Sequence, residues 1–387
     1  MKSFKGSMVL IAFLVSGILL SMIFFYGCGN DDDHNYNSSG GSSPSPNPSS
    51  SGGSGPKETE LATGRANTYD LSVVGEYVYW TEKYSGGGVY RVKTDGTSTS
   101  PEAVANGLDN AFSLTLAGGD TYVTLFNGVG SSKIVRKVST DTGSTATDYI
   151  TGRTNTVWIT YNTRDGFLYW LEYTTTGGAL YRAKAGESST PTVETICDTF
   201  SNPFGICFDK SYTKAYIGEM AGSGSRLMSV ALAPNSTASQ IYSGPETLYV
   251  TSTSYDDSTG YLYWCNYQSN GGVYRVKTVL ADGETAKAEE VETGLATAFD
   301  VDGPEVGNIY YSLNVTRSSG GTIYYDMVSD LSKPSVNALG SSTTCSNPFR
   351  FETDGTYFYW TEYNNFNPQD LQAGGSSSCR VMMYKNK

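Results

Sequence analysis

The sequence predicts an all-β protein, a seven-bladed β-propeller of four-stranded antiparallel blades, and three observations carry that prediction. Four near-identical hexapeptides, Tyr77 to Glu82 (YVYWTE), Phe167 to Glu172 (FLYWLE), Tyr261 to Asn266 (YLYWCN) and Tyr357 to Glu362 (YFYWTE), recur with their tryptophans 90, 94 and 96 residues apart. Degenerate copies lie halfway between them, at Thr121 to Phe126, Lys214 to Glu219 and Asn308 to Leu313. The period is therefore about 47 residues, the length of one propeller blade. Finally, Thr59 to Gly64 reads as an outer strand that belongs to no complete unit, while the seventh unit stops after three strands near Tyr384.

Each unit divides into four short segments rich in Val, Ile, Tyr and Phe with period-two alternation, separated by Gly, Ser, Asn and Asp. Named A to D, these are Val157 to Tyr161, Phe167 to Tyr173, Leu180 to Ala183 and Val193 to Cys197 in the third unit. Arg164-Asp165-Gly166 suits a tight A–B turn, and Thr174 to Gly178 a B–C turn. No segment has helical spacing. At the start of A an Asn recurs two residues before an apolar residue: Asn67/Tyr69, Asn110/Phe112, Asn155/Val157, Asn202/Phe204 and Asn347/Phe349. Thr247/Tyr249 and Thr297/Phe299 complete the column. A turn-forming amide is the structural reading of these Asn residues, and a ring of amides around the channel mouth the functional one. Most D strands end in Gly, as at Gly64, Gly107, Gly152, Gly244 and Gly294. Because Gly64 precedes the first A strand, an N-terminal D strand is expected to pair with the C-terminal C strand and close the ring, leaving no large open edge.

The chain resembles the YWTD propellers of the low-density lipoprotein receptor class. The resemblance spans roughly residues 58 to 387. It rests on Asn202-Pro203-Phe204-Gly205-Ile206-Cys207-Phe208-Asp209 at an A strand, on the Tyr-Trp-Thr-Glu segments, and on Tyr90-Arg91, Tyr181-Arg182 and Tyr274-Arg275. That family has six blades where this sequence counts seven, only alternate units here carry Trp, and Glu or Asn stands where the family has Asp. The resemblance implies protein binding.

Residues 1–28 read as a signal peptide or membrane anchor: Lys2 and Lys5 precede an apolar run from Met8 to Tyr26 that ends at Gly27-Cys28. Cys28 after Gly resembles the lipidation site of a bacterial lipoprotein, and an uncleaved anchor is the alternative, since about 18 apolar residues can span a bilayer. Residues 29–57 form a Ser/Gly/Pro-rich tether expected to be disordered, and residues 58–387 the propeller. The expected location is the cell envelope, as an outer-membrane lipoprotein, with the acidic run Asp31 to Asp33 supporting surface exposure. The formal net charge of −12 belongs to the propeller, which argues against nucleic acid and anionic headgroups as partners.

The only histidine, His34, lies in the tether, which removes Ser/His and Cys/His nucleophiles and His-ligated metals from the propeller. No metal, cofactor or catalytic residue is expected. The repeated acids Glu82, Glu172, Glu219 and Glu362 keep carboxylate chemistry open, but a cross-strand ion pair of Glu82 with Arg91 and Glu172 with Arg182 explains them structurally. Asp256-Asp257 and Asp300-Val301-Asp302 read as solvated loop acids, with calcium as the alternative. Cys345 and Cys379 are a candidate disulfide in the last blade, whereas Cys197, Cys207 and Cys265 are expected to be buried as small apolar residues. Departures from the blade pattern are the better site candidates. Trp158 and Arg350 occupy inner-strand positions whose equivalents are mostly small or acidic, and the longest B–C loop, Asn364 to Ser378, brings Phe366, Gln369 and Asp370. An exposed aromatic beside an Arg would recognise a peptide or glycan. Three functions stand: an extracytoplasmic protein- or glycan-binding module, a carboxylate-dependent polysaccharide hydrolase or lyase, and an envelope scaffold. The oligomeric state is left open.

Overall fold

The computed structural model describes residues 58–385, except 138, 140–144, 175–176, 188–190, 222–223, 269–270, 296–297, 306, 315–320, 328–329, 332–335, 339–347, 355 and 363–378. Cys28, Cys345, Phe366, Gln369 and Asp370 thus lie outside the described residues. Seven four-stranded antiparallel sheets follow one another along the chain. In the first blade the strands are Thr68–Val74, Tyr77–Glu82, Gly88–Lys93 and Glu102–Asn106, paired in sequence order from the axis outward. The inner strand of every blade packs on those of the two neighbouring blades, so the sheets form a closed ring around an axis. In the third blade the observed strands Thr156–Asn162, Phe167–Thr174, Gly177–Lys184 and Glu194–Phe200 overlap the expected segments. The outer strand of the sixth blade shrinks to Val336–Asn337.

Closure is as expected. Thr59–Arg65 pairs antiparallel with Cys379–Lys385, with Thr59 opposite Met383 and Arg65 opposite Cys379. Leu61 and Ala62 are fully buried in a cluster with Trp80, Val78, Val381 and Met383, so apolar burial as well as the hydrogen-bond ladder holds the first strand in the last blade.

The alternation of tryptophan among the units has a packing cause. Trp80, Trp170, Trp264 and Trp360 are fully buried, and each belongs to a cluster shared with the preceding blade. The cluster between the first two blades is built instead from Tyr79, Val104, Leu114 and Val135, and that between the fifth and sixth from Tyr263, Val291 and Tyr311. Close approach of blades requires small residues: a Cβ on Gly178 would sit 2.1 Å from Pro203 Cδ of the next blade, and one on Gly218 2.2 Å from Val250 Cγ1.

Most of the recurring Asn and Gly adopt left-handed backbone, Gly244 being extended at φ −170°. Asn67, Asn110, Asn155 and Asn202 have φ between 43° and 55°, and Gly64, Gly107, Gly152 and Gly294 between 65° and 72°. Asn is the side-chain-bearing residue that tolerates this region most readily. Its amide bonds to the end of the B strand rather than to its own backbone: Asn155 Nδ2 donates to the Tyr173 carbonyl at 3.1 Å.

The repeated acids pair differently from expectation. Glu82 is bound by Arg65 and Glu172 by Arg153, each at 2.5 Å, while Arg226 and Arg380 hold Glu219 and Glu362. The register explains the correction, since Arg91 and Arg182 lie opposite Tyr79 and Tyr169 and reach Glu102 and Glu194 on the outer strands. Trp80, Trp170 and Trp360 donate their indole N–H to the same carboxylates. In the fifth blade Asn266 replaces the acid, and Trp264 donates to the Glu246 carbonyl at 2.8 Å. These acids are therefore blade-building groups, each desolvated and saturated.

Candidate functional site

In five blades the apolar residue at the head of the inner strand, Tyr69, Phe112, Phe204, Phe299 or Phe349, brings a ring to the axis, and these rings meet. Tyr69 lies 4.5 Å from Phe112 and 4.4 Å from Phe349, and Phe349 lies 3.8 Å from Phe299. Phe112 of the second blade reaches Phe204 of the fourth at 6.2 Å, a contact between non-adjacent blades. Trp158 of the third blade fills the space between them, 5.2 Å from Phe112 and 5.3 Å from Phe204. An aromatic plug thus blocks the axis at the end where the inner strands begin, which is the face carrying the B–C and D–A loops.

Beneath the plug is a chamber of about 370 Å³, lined by residues from all seven inner strands. Arg350 reaches into it from the seventh blade and lies over the Trp158 ring, 4.5 Å from its centroid. Its Nη1 donates to Asp300 Oδ1 at 2.6 Å and its Nε to Asp70 Oδ1 at 3.3 Å. A belt of bonds extends from these two acids. Ser113 Oγ and the Leu114 N–H donate to Asp70 Oδ2 at 2.7 and 3.0 Å, and Ile159 N–H donates to Ser113 Oγ. On the other side Ser252 Oγ donates to Asp300 Oδ1 at 2.8 Å and the Phe351 N–H to Oδ2 at 3.3 Å. Six of the seven blades are tied together, with Gly205 to Phe208 of the fourth forming the remaining wall.

Further along the chamber stand Asp302 and Glu352. Glu352 Oε2 accepts the Val73 N–H at 2.8 Å, and Asp302 Oδ1 accepts the Gly303 N–H. Burial pushes Glu352 up to about 8, with Asp302 and Asp70 adding to the shift and the Val73 bond and Arg350 opposing it. Burial likewise pushes Asp300 up to about 6 against the pull of Arg350 and Ser252. For Arg350 burial disfavours the charge, but Asp300, Asp70 and Asp302 outweigh it and raise its pKa. Four carboxyls face one guanidinium, so the chamber favours cationic or hydrogen-bond-donating groups.

Of the sequence candidates, the structure brings Trp158 and Arg350 together. Trp158 is not the exposed aromatic expected, however: it retains 5% exposure and belongs to the plug, because the third blade has Val157 where its neighbours have a ring. Arg350 is ion-paired rather than presented alone. Asp300 and Asp256, expected as solvated loop acids, are buried, the first in the chamber and the second accepting the Ser258 N–H and the Ser258 and Thr259 hydroxyls in a turn. Cys197 and Cys265 are buried as expected, while Cys207 is half-buried and its thiol is pushed up to about 12 by burial. Asp70 and Glu352 were missed. The signal for Asp70 is its column, one residue beyond the apolar residue that heads the inner strand, which it shares with Trp158 and Arg350; Glu352, three residues beyond Phe349, carries no such signal. Among the described residues no group of three or more metal-ligating side chains occurs, and no helix is long and apolar enough to cross a membrane. A second hollow of about 690 Å³ runs along the outer strands of the first two blades, with the Lys133–Asp148 ion pair in its lining.

No protein-family model matches this chain, and no curated protein matches it. Solved structures are similar in fold. One is a GH74 xyloglucanase from Xanthomonas campestris, with a TM-score of 0.53 and 12% identity over 81% of this chain and 55% of that one. Another is a protein assigned as a 6-phosphogluconolactonase from Bacteroides fragilis, at 0.52 and 14% over 70% and 85%. A nidogen/laminin complex gives 0.46 and 16% over 67% and 93%. Likeness at these identities is likeness of fold.

Proposed function

We propose that this chain is an extracytoplasmic binding module of the YWTD type, lipid-anchored through Cys28 and held off the outer membrane by its Ser/Gly/Pro tether, which takes a protein or glycan ligand. The observation that carries the reading is the axial chamber: a blind, acid-rich hollow whose volume suits one sugar residue or one side chain rather than a polymer threading the ring. Its acids and the Trp158–Arg350 stack would hold an amino sugar or a basic side chain entering from the face opposite the plug, and Phe366, Gln369 and Asp370 of the blade-seven loop would form a separate contact on the loop face. The test compares wild type with Asp302→Asn/Glu352→Gln and with a variant whose Asn364 to Ser378 loop is shortened, on a glycan array and a basic-peptide library. The reading expects a ligand that loses at least about tenfold in affinity in one of these variants. Equal binding by all three would sink it.

One observation favours a second reading, glycoside hydrolysis. A carboxyl raised to about 8 stays protonated at neutral pH, as a general acid must, and Asp302 is close enough to contribute to that shift. Turnover of aryl glycosides that disappears in Glu352→Gln would replace the binding reading with this one.

A further inference from the structure

Two residues beyond Asp70 the first inner strand brings Ser72 to the chamber wall, and the equivalent residues of the other blades are Thr115, Thr160, Cys207, Ser254, Asp302 and Glu352. The register fixes the equivalence, since each stands opposite a B-strand tyrosine, from Tyr79 in the first blade to Tyr359 in the seventh. This layer differs from the one nearer the plug. There Asp70, Ser113, Ser252 and Asp300 retain 6% exposure or less and bond to one another or to Arg350. Ser72, Thr115, Thr160, Asp302 and Glu352 are half-buried, so the chamber opens on the side away from the plug.

The layer has two chemically distinct halves. The first three blades supply hydroxyls, and those of Ser72, Thr115 and Thr160 bond to no other described residue. The sixth and seventh blades supply the acids, which in a ring of seven lie across the axis from Thr160. Glu352 commits Oε2 to the Val73 N–H, while its Oε1 bonds to no other described residue. Between the halves, Ser254 donates to the Gly303 carbonyl and the half-buried Cys207 keeps its proton, its thiol raised by burial, so neither draws a cation away from the acids.

We propose that the chamber selects a hexosamine with a free amine, its ammonium held at Asp302 and Glu352 and its ring hydroxyls at Ser72, Thr115 and Thr160. This rests on the binding reading of the chamber and decides between its two ligand classes. A lysine or arginine side chain would meet the acids equally well, but its methylene stem would lie against the three hydroxyls. Each hydroxyl stripped of water without a new partner weakens binding by about fivefold or more. A pyranose carries hydroxyls around its ring and pairs with them instead. Arg350, already bound to Asp70 and Asp300, repels a cation from the inner end and leaves the outer acids as its place. There the ammonium would stand in for the proton that burial keeps on Glu352.

The test is calorimetric titration of the full chain in detergent at pH 6.5 with four probes: D-glucosamine, D-glucose, N-acetyl-D-glucosamine and Nα-acetyl-L-lysinamide. Glucosamine alone offers both the charge and the hydroxyls, and it is expected to bind at least about tenfold more tightly than each of the others. Thr115→Val and Thr160→Val, which keep side-chain volume, should each weaken glucosamine by about fivefold or more. Glu352→Gln should bring glucosamine close to glucose. Lysinamide binding as tightly as glucosamine, with Thr160→Val without effect, overturns the hexosamine assignment and leaves the chamber as a site for basic side chains. Glucose or N-acetylglucosamine binding as tightly as glucosamine overturns the role of the acids. Binding of none of the four up to about 10 mM overturns the inference, while the glycan array and peptide library decide the wider reading separately.

Discussion

Arg350 and Trp158 come from opposite sides of the ring, the seventh and third blades, and meet with the guanidinium 4.5 Å from the indole centroid. One cation thereby joins the roof of the chamber to two of its acids, Asp70 and Asp300. Removing it leaves two desolvated carboxyls facing each other, since Asp70 and Asp300 retain 4% and 3% exposure. Arg350→Met is expected to cost about 3–5 kcal/mol, read as a lower midpoint in chemical denaturation. An unchanged midpoint would mean that the belt does not hold the ring.

The chamber acids also set a pH dependence. Glu352 and Asp300 have folded-state pKa values of about 8 and about 6, above their ordinary 4.5 and 3.8. In such a window the folded state binds more protons than the unfolded chain, so stability falls as pH rises. The contribution is full below about pH 4 and is lost progressively up to about pH 8. Asp209 and Asp256 run the other way: burial is outweighed by their hydroxyl and backbone bonds, their pKa values are lowered, and their contribution disappears in acid. The melting temperature should therefore be a few degrees higher at pH 5.5 than at pH 7, below the range in which Lys83, lowered by burial to about 7, adds the opposite slope, and Glu352→Gln should flatten most of the fall. A melting temperature that rises with pH in this range would contradict the assignment.

Two kinds of ion pair should respond differently. Glu219 is fully buried and Arg226 holds both of its oxygens at 2.7 Å. Arg226→Ala is expected to cost about 3–5 kcal/mol. The Lys133–Asp148 pair leaves its side chains 33% and 50% exposed, and Lys133→Ala should change stability by about 1 kcal/mol or less. Urea titrations of the two variants side by side give the comparison.

Ring closure depends on a single seven-residue strand. Leu61→Ala, within it, should cost about 2–5 kcal/mol, and deletion of Lys57 to Gly64 should broaden or abolish cooperative melting. A deletion variant that melts like wild type would refute the closure.

Gly218→Ala tests blade contact. The added methyl would overlap Val250, and a loss of about 1–3 kcal/mol is expected, recovered in part by Val250→Ala.

The sequence by itself determined the architecture: the period, the strand segments, the blade count and the closing strand. All of these follow from local alternation and turn chemistry, which each unit repeats and the structure reproduces. Equal spacing also exposed the exceptions, Trp158 and Arg350, as departures from a column. Tertiary structure alone decided what those departures do. Ion-pair partners depend on register and on strand order, so Glu82 found Arg65 instead of Arg91. The chamber depends on side chains that lie 280 residues apart in sequence, as Asp70 and Arg350 do, and that converge only when the ring closes. Burial followed the same rule: Asp300 looks like a loop acid in sequence and becomes a chamber acid because six other inner strands surround it. A repeat fixes what each unit is, whereas the axis belongs to all seven at once, and no single unit encodes the field they make there.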